Sequence, residues 1–172
     1  MTQEVLDFGF RELETLEDFS LETKGIYDDS EYAKNDEGLY KANKSLRLRN
    51  NQLASIDGLS TKLSTIMVDH TALQWLDLSF NQISRISNSL NELVQLKVLY
   101  LHGNRISQLK EIQDLSRLPL TKLTLHGNPI ETQAAYRKYT LQLLPALIKF
   151  DFAAVTNAER RGISHNPLKR MK

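Results

Sequence analysis

"LKVLYLHGNRIS" (residues 96–107) and "LTKLTLHGNPIE" (residues 120–131) agree in every leucine, in the tripeptide HGN and in the isoleucine that follows. Two histidines in matching surroundings, His102 and His126, suit three readings: a metal pair, a catalytic pair, or two rungs of one repeated scaffold. The neighbouring sequence separates them. "LQWLDLSFNQI" (73–83) carries the same leucines and asparagine with serine in place of histidine, and "LRLRNNQL" (46–53) carries them with arginine. The asparagines Asn51, Asn81, Asn104 and Asn128 lie 30, 23 and 24 residues apart. Self-similarity at such a period marks a stack of equivalent supersecondary units, to which the histidines are incidental.

The shared pattern, LxxLxLxxNxL, is that of the leucine-rich repeat. Leu73, Leu96 and Leu120 lead three units, and the first unit has a polar lead. Leu46 and Leu48, Leu76 and Leu78, Leu99 and Leu101, and Leu123 and Leu125 are spaced to put both leucines of a short strand inward. The asparagine then turns the chain and satisfies backbone groups of its own and neighbouring coils, where an unpaired amide would be expensive. Ile56 and Leu59, Ile86 and Leu90, and Leu109 and Ile112 bring the chain back along the convex side. One unit cannot bury its apolar face alone, whereas a stack makes a continuous core. The expected fold is therefore α/β: a leucine-rich repeat solenoid with a short parallel sheet on its concave face and caps at both ends. The surplus in the first spacing is about one or two helical turns. It falls in "STKLSTIMVDHTAL" (60–73), as a longer convex-side helix or loop.

Four regions follow from the pattern. Residues 1–44 form an acidic arm and cap, 45–131 the repeats, 132–161 a C-terminal capping helix and final strand, and 162–172 a basic tail. Within the first, Phe10, Leu13, Leu16 and Phe19 stand three apart, as in a short helix or an imperfect first coil, and residues 22–44 read as a loop or partner-ordered segment turning at Asn35 to Gly38. In the third, Thr132 suits a helix start before "AAYRKYTLQLL". Leu147, Phe150 and Phe152 mimic a fifth strand, and Val155 stands where the next asparagine would be.

Composition narrows the function. The chain has 172 residues, no cysteine and a net charge of +1. Neither disulfides nor thiolate zinc sites can form. No early stretch combines a basic start with an apolar run, and no 18 successive residues are apolar, so neither a signal peptide nor a membrane helix is expected and the cytoplasm is the expected location. The charge is asymmetric: residues 1–44 carry 12 acidic and 5 basic side chains, and residues 45–172 carry 9 and 17. Both termini are thus candidate secondary contacts for charged partners. A basic excess this modest, without a paired aromatic stacking signature, predicts no specific nucleic-acid binding.

On a strand whose leucines face inward, the residues between and after them face the concave side. The candidate partner-binding set is Arg47, Arg49, Trp75, Asp77, Tyr100, His102, Lys122 and His126, with Asn51, Asn81, Asn104 and Asn128 as structural turn residues. Trp75 is the only tryptophan, and tryptophan, tyrosine and arginine dominate binding interfaces. It either contacts a partner or is covered by the chain's own N-terminal segment. His102 and His126 should stand side by side at a strand spacing of about 4.8 Å. Zinc needs three or four ligands, and the equivalent positions hold Ser79 and Arg49, so no metal or other cofactor is expected. There is no GxSxG elbow, no serine with a histidine–carboxylate relay and no phosphate loop, all of which argues against an enzyme.

Pro145, Leu147, Phe150, Asp151, Val155, Thr156, Glu159 and Arg160 resemble the C-terminal cap P-x-L-x-x-aromatic-D-x-x-x-V-T-x-x-E-R. That cap typifies the leucine-rich repeat subclass of phosphatase regulators and spliceosomal proteins. More narrowly, "WLDLSFNQIS", "LKVLYLHGN", "LTLHGNPIE", "YRKY", "FDFAAVTNAER" and the N-terminal "LDFGFR" resemble, in the same order, the leucine-rich repeat-containing protein 51 family. The resemblance spans roughly residues 6–161 and departs from the family at residues 22–44 and after Arg161. It implies an intracellular, non-enzymatic scaffold or adaptor of ciliated organisms, with axonemal or microtubule-associated protein partners. A regulatory subunit docking a phosphatase or motor protein is the alternative, and an enzyme or metal protein using His102 and His126 the rival of another class.

Overall fold

The computed structural model describes residues 5–19, 34–41 and 44–164. Its seven strands form one sheet in chain order: β1 Val5–Asp7, β2 Ser45–Arg47, β3 Trp75–Asp77, β4 Val98–Tyr100, β5 Lys122–Thr124, β6 Lys149–Phe150 and β7 Ala153–Ala154. The first six are parallel and in register, so Leu6, Leu46, Leu76, Leu99, Leu123 and Phe150 form one column beneath the sheet. Phe8, Leu48, Leu78, Leu101 and Leu125 form a second buried column. On the convex side the chain returns through α1 (Leu59–Ser64), tight helical turns at Asn88–Glu92 and Leu109–Leu115, and α2 (Tyr136–Leu143). α3 (Asn157–Ser164) packs against α2.

The turn asparagines hold this stack by one repeated geometry. Asn104 accepts from the Ile83 amide of the coil before and donates to the Leu78 and Leu101 carbonyls, at 2.9–3.0 Å. Asn81 and Asn128 repeat the arrangement one coil either side. Asn51 does the same toward the N-terminal segment, accepting from Arg11 and Leu13 and donating to Phe8 and Leu48. All four are buried, where an amide without partners would be strongly destabilising.

Of the two readings for residues 10–19, the imperfect coil is the one found. β1 pairs with β2 across the expected boundary at residue 44, with Leu6, Phe8, Leu13 and Phe19 buried. Phe10 does not belong to that apolar row; it faces outward, 59% exposed. Residues 34–41 turn at Asn35, whose side chain accepts from the Glu37 and Leu39 amides, and deliver Tyr40 into the core. The Tyr40 and Phe19 rings both meet Phe8 edge-on, at 6.0 and 4.5 Å. The backbone of Tyr40 pairs with Ile66 and Val68, which explains the long first spacing: α1 and the segment after it form the shelf on which Tyr40 sits. The rest of the expected loop between residues 22 and 44, and the basic tail from residue 165, lie outside the described residues.

Two expectations at the C-terminal end are corrected. Thr132 starts no helix: it closes a tight turn over Pro129–Thr132, its hydroxyl donating to the Pro129 carbonyl, and α2 begins at Tyr136. Phe152 is not an inward strand residue. β6 stops after Phe150, and Asp151 and Phe152 both take positive φ, 47° and 66°, as a two-residue turn into antiparallel β7 requires. The hairpin ends the parallel ladder. The Asp151 carboxylate accepts from the Leu125 and His126 amides; in the coils before, the amide equivalent to that of Leu125 bonds a backbone carbonyl of the next coil instead.

Candidate functional site

Each coil presents a row of side chains across the sheet. The row between the leucines holds Asp7, Arg47, Asp77, Tyr100 and Thr124, and the row beyond them holds Arg49, Ser79, His102 and His126. The structure brings Arg47, Trp75, Tyr100 and His102 together as expected of neighbours on one face. The Arg47 guanidinium lies 5.6 Å from the Trp75 ring, Trp75 meets Tyr100 edge-on at 5.6 Å, and Tyr100 meets His102 at 6.0 Å. Trp75 is half-buried in this contact. Arg47 also pairs with Asp7, and Arg49 lies over the Phe10 ring at 5.3 Å.

Asp77 is a correction. It is 6% exposed, and its carboxylate accepts from both the amide and the hydroxyl of Ser79, so it is a turn-bracing residue rather than a contact residue. The two histidines occupy equivalent positions on adjacent coils, as expected, but their rings take different partners. His102 Nδ1 faces the Thr124 hydroxyl at 2.9 Å, whereas His126 Nδ1 pairs with Glu131 at 2.7 Å. The Phe152 ring meets both edge-on, at 5.4 and 6.4 Å. Burial is the main reason that the pKa of His102 lies below its ordinary value. The Gly127 amide and then His126 hold the Glu131 carboxyl below its usual range. Among the described residues no three histidine, cysteine, aspartate or glutamate side chains converge to hold a metal ion.

Three aromatic residues that the sequence reading left off this face belong to it. Phe10, Phe80 and Phe152 are 59%, 53% and 58% exposed. Phe80 meets His102 edge-on at 5.0 Å, so Trp75, Tyr100, His102, Phe80 and Phe152 form one continuous aromatic ridge. The signal that finds Phe10 and Phe80 is positional. The residue before each turn asparagine, or its equivalent, has positive φ in every coil: Phe10, Asn50, Phe80, Gly103 and Gly127. Glycine or asparagine is the ordinary occupant of that conformation, and a bulky side chain there is strained by order 1–3 kcal/mol. The Phe80 ring needs the glycine next door, since a Cβ on Gly103 would stand 2.7 Å from Phe80 Cδ1.

The Arg47–Trp75 end opens into a cleft of about 350 Å³, also lined by Val5, Gln74, Lys97 and Val98. A smaller hollow at the other end brings Tyr100, Lys122, Lys149 and Phe152 together. The face is an open surface of closely packed rings and cations.

Comparison with known proteins agrees with this architecture. A family model described as "Leucine-rich repeat" matches residues 45–166. Leucine-rich repeat-containing protein 51 of Rattus norvegicus is 40% identical over 157 residues, covering 90% of this chain and 80% of that protein. U2 small nuclear ribonucleoprotein A' of Saccharomyces cerevisiae is 34% identical over 131 residues, covering 75% of this chain and 51% of that protein. The fold also matches a chain of the Drosophila melanogaster SNF/U2A' complex with a TM-score of 0.67 at 22% identity, covering 96% of this chain and 81% of that chain. The repeat, its cap and the match along most of both chains place this protein in the leucine-rich repeat class, as a member of the leucine-rich repeat-containing protein 51 family.

Proposed function

We propose that this chain is a non-enzymatic scaffold that holds a protein partner on its concave face. The observation that carries the reading is the exposed ridge from Trp75 to Phe152: rings locked edge-to-edge on a rigid sheet lose little conformational freedom on binding. Exposed apolar area gathered on one face, rather than scattered, marks an interaction site. The related fold in the SNF/U2A' complex supports partner binding as the use of such a surface. Within this reading we place the protein in the cytoplasm and at the ciliary or flagellar axoneme, as an adaptor or structural subunit. Docking of a phosphatase or motor protein is the narrower alternative.

Proximity labelling in a ciliated cell tests both levels, with wild type compared to Trp75→Ala. Recovery of axonemal proteins by wild type and their loss from the mutant supports the proposal. Recovery of phosphatase or motor subunits selects the alternative, and equal recovery by a folded mutant removes Trp75 and its ridge from the binding site. If Trp75→Ala unfolds, Trp75 belongs to the core.

A further inference from the structure

The two rims of the concave face differ in chemistry. From β2 to β6, the two residues entering each strand are Lys44 and Ser45, Gln74 and Trp75, Lys97 and Val98, Thr121 and Lys122, and Ile148 and Lys149. This rim has four lysines and no carboxylate. None of the four lysines makes an ion pair among the described residues. The carboxylates of the same face are all engaged within the molecule: Asp7 by Arg47, Asp77 by Ser79, Glu131 by His126 and the Gly127 amide, and Asp151 by two amides and the Tyr136 hydroxyl. Among the described residues, the four lysines of the strand-entry rim thus have no carboxylate partner of their own. The strand-exit rim is aromatic, through Phe80, His102 and Phe152.

Resting on the reading above, we infer that the occupant of this face is an acidic protein segment with apolar side chains, lying across the strands. Its carboxylates face Lys97, Lys122 and Lys149, and its apolar side chains lie on Trp75, Phe80 and Phe152. Lys122 and Lys149 are register partners, about 4.8 Å apart, and line the same hollow as Tyr100 and Phe152. A carboxylate and an apolar group of one segment thus meet both rims at once. The charge steers and orients the partner, and the rings anchor it.

RNA offers negative charge too, but its bases need open ring faces. Here the rings are packed edge-on, at interplanar angles of 84° for Trp75–Tyr100 and 83° for Phe80–His102, and Arg47 covers Trp75. A protein segment, which needs contact area rather than stacking, fits better.

The test is selection of a random peptide display library on the immobilised full chain. A tryptophan-free synthetic copy of the leading peptide is then titrated, with the emission of Trp75 as the readout, since Trp75 is the sole tryptophan. Enriched peptides should be net negative with aliphatic or aromatic residues. Lys122→Glu/Lys149→Glu, whose side chains are outside the core, should keep the far-UV spectrum and Tm and weaken binding about tenfold or more. Phe80→Gly should weaken it several-fold. Enrichment of basic or uncharged peptides, enrichment of none, or a charge reversal without effect overturns the acidic partner. In the charge-reversal case, binding to Trp75→Ala is read instead by the anisotropy of a dye-labelled copy of the peptide; the concave-face reading survives if this variant abolishes binding and falls if it binds like wild type. Tighter quenching by an oligouridine than by the peptide makes the ligand a nucleic acid, and a wild-type dimer that the charge reversal converts to monomer makes it a second copy. Either result overturns the proposal.

Discussion

At the scale of single residues, the molecule separates what holds the stack from what it displays. Asn104→Ala strips the Ile83 amide of its acceptor and removes one of the two asparagine donors from each of the Leu78 and Leu101 carbonyls. Its expected cost in urea unfolding is about 2 kcal/mol. Phe80 should behave in the opposite way. Its φ of 53° suits glycine, and its ring is more than half exposed, so Phe80→Gly is expected to leave Tm unchanged or raise it while weakening partner binding. A fall in Tm together with intact binding would make Phe80 a structural residue. Gly103→Ala, at φ 68° and against the Phe80 ring, should lower stability by about 1 kcal/mol. Part of that loss should disappear in a Phe80→Gly background, which a double-mutant cycle on thermal melts would measure.

At the scale of elements, the C-terminal cap is a hydrogen-bonded clasp between α2 and α3. Thr156 and Glu159 form a reciprocal capping box at the start of α3, each side chain bonding the other's amide. Arg137 of α2 bonds Glu159 at 2.6 Å, and Arg160 of α3 donates to the carbonyls of Leu141, Leu144 and Leu147 around the end of α2. The Arg137 hydrogen bond, followed by the Thr156 amide, lowers the pKa of Glu159 from 4.5 to about 2. Because the folded value is the depressed one, this stabilisation is present above about pH 4.5 and is lost as pH falls through about 2. The Tm gap between wild type and Glu159→Gln should be constant near neutrality and close across that window. The side chain of Glu159 is 32% exposed, so the gap is small, about 1 kcal/mol or less. A gap that persists unchanged to pH 2 would show that the charge of Glu159 contributes nothing to the clasp.

At the scale of the whole molecule, the described residues before residue 45 are part of the solenoid. Leu6, Phe8, Leu13, Phe19 and Tyr40 cover the end of the core, on top of Leu46, Leu48 and Leu53. Burying such side chains contributes about 1.5–3 kcal/mol each, and five together rival the 5–15 kcal/mol net stability of an ordinary domain. A chain starting at residue 45 is therefore expected to lose its cooperative thermal transition. Cooperative melting near the full-length Tm would make the first coil dispensable. The sequence left this coil as one of two readings because β1 is followed by Gly9 and Phe10, without the asparagine that marks the next four coils. Asn51 of the next coil binds it as each turn asparagine binds the coil before, with the Arg11 amide as one further donor.

Periodicity alone determined the fold, the inward leucines, the turn asparagines and the concave position of Trp75, Tyr100 and His102, because each repeats a local pattern whose burial is the same in every coil. It did not determine the contacts that occur in one coil and not in the others. Asp77 reads as a surface charge until Ser79 closes over it, and the histidines read as a pair until Thr124, Glu131 and Phe152 draw them to different partners. Phe152 reads as a core residue until a hairpin turn reverses its direction. Asp77, His126 and Phe152 were decided by contacts within five residues along the chain, and His102 by contacts across coils; none of these contacts recurs in every coil, so a repeating pattern is silent on them. Ion pairing belongs to the same class: which lysines are left without a partner among the described residues depends on where the carboxylates of the face are held.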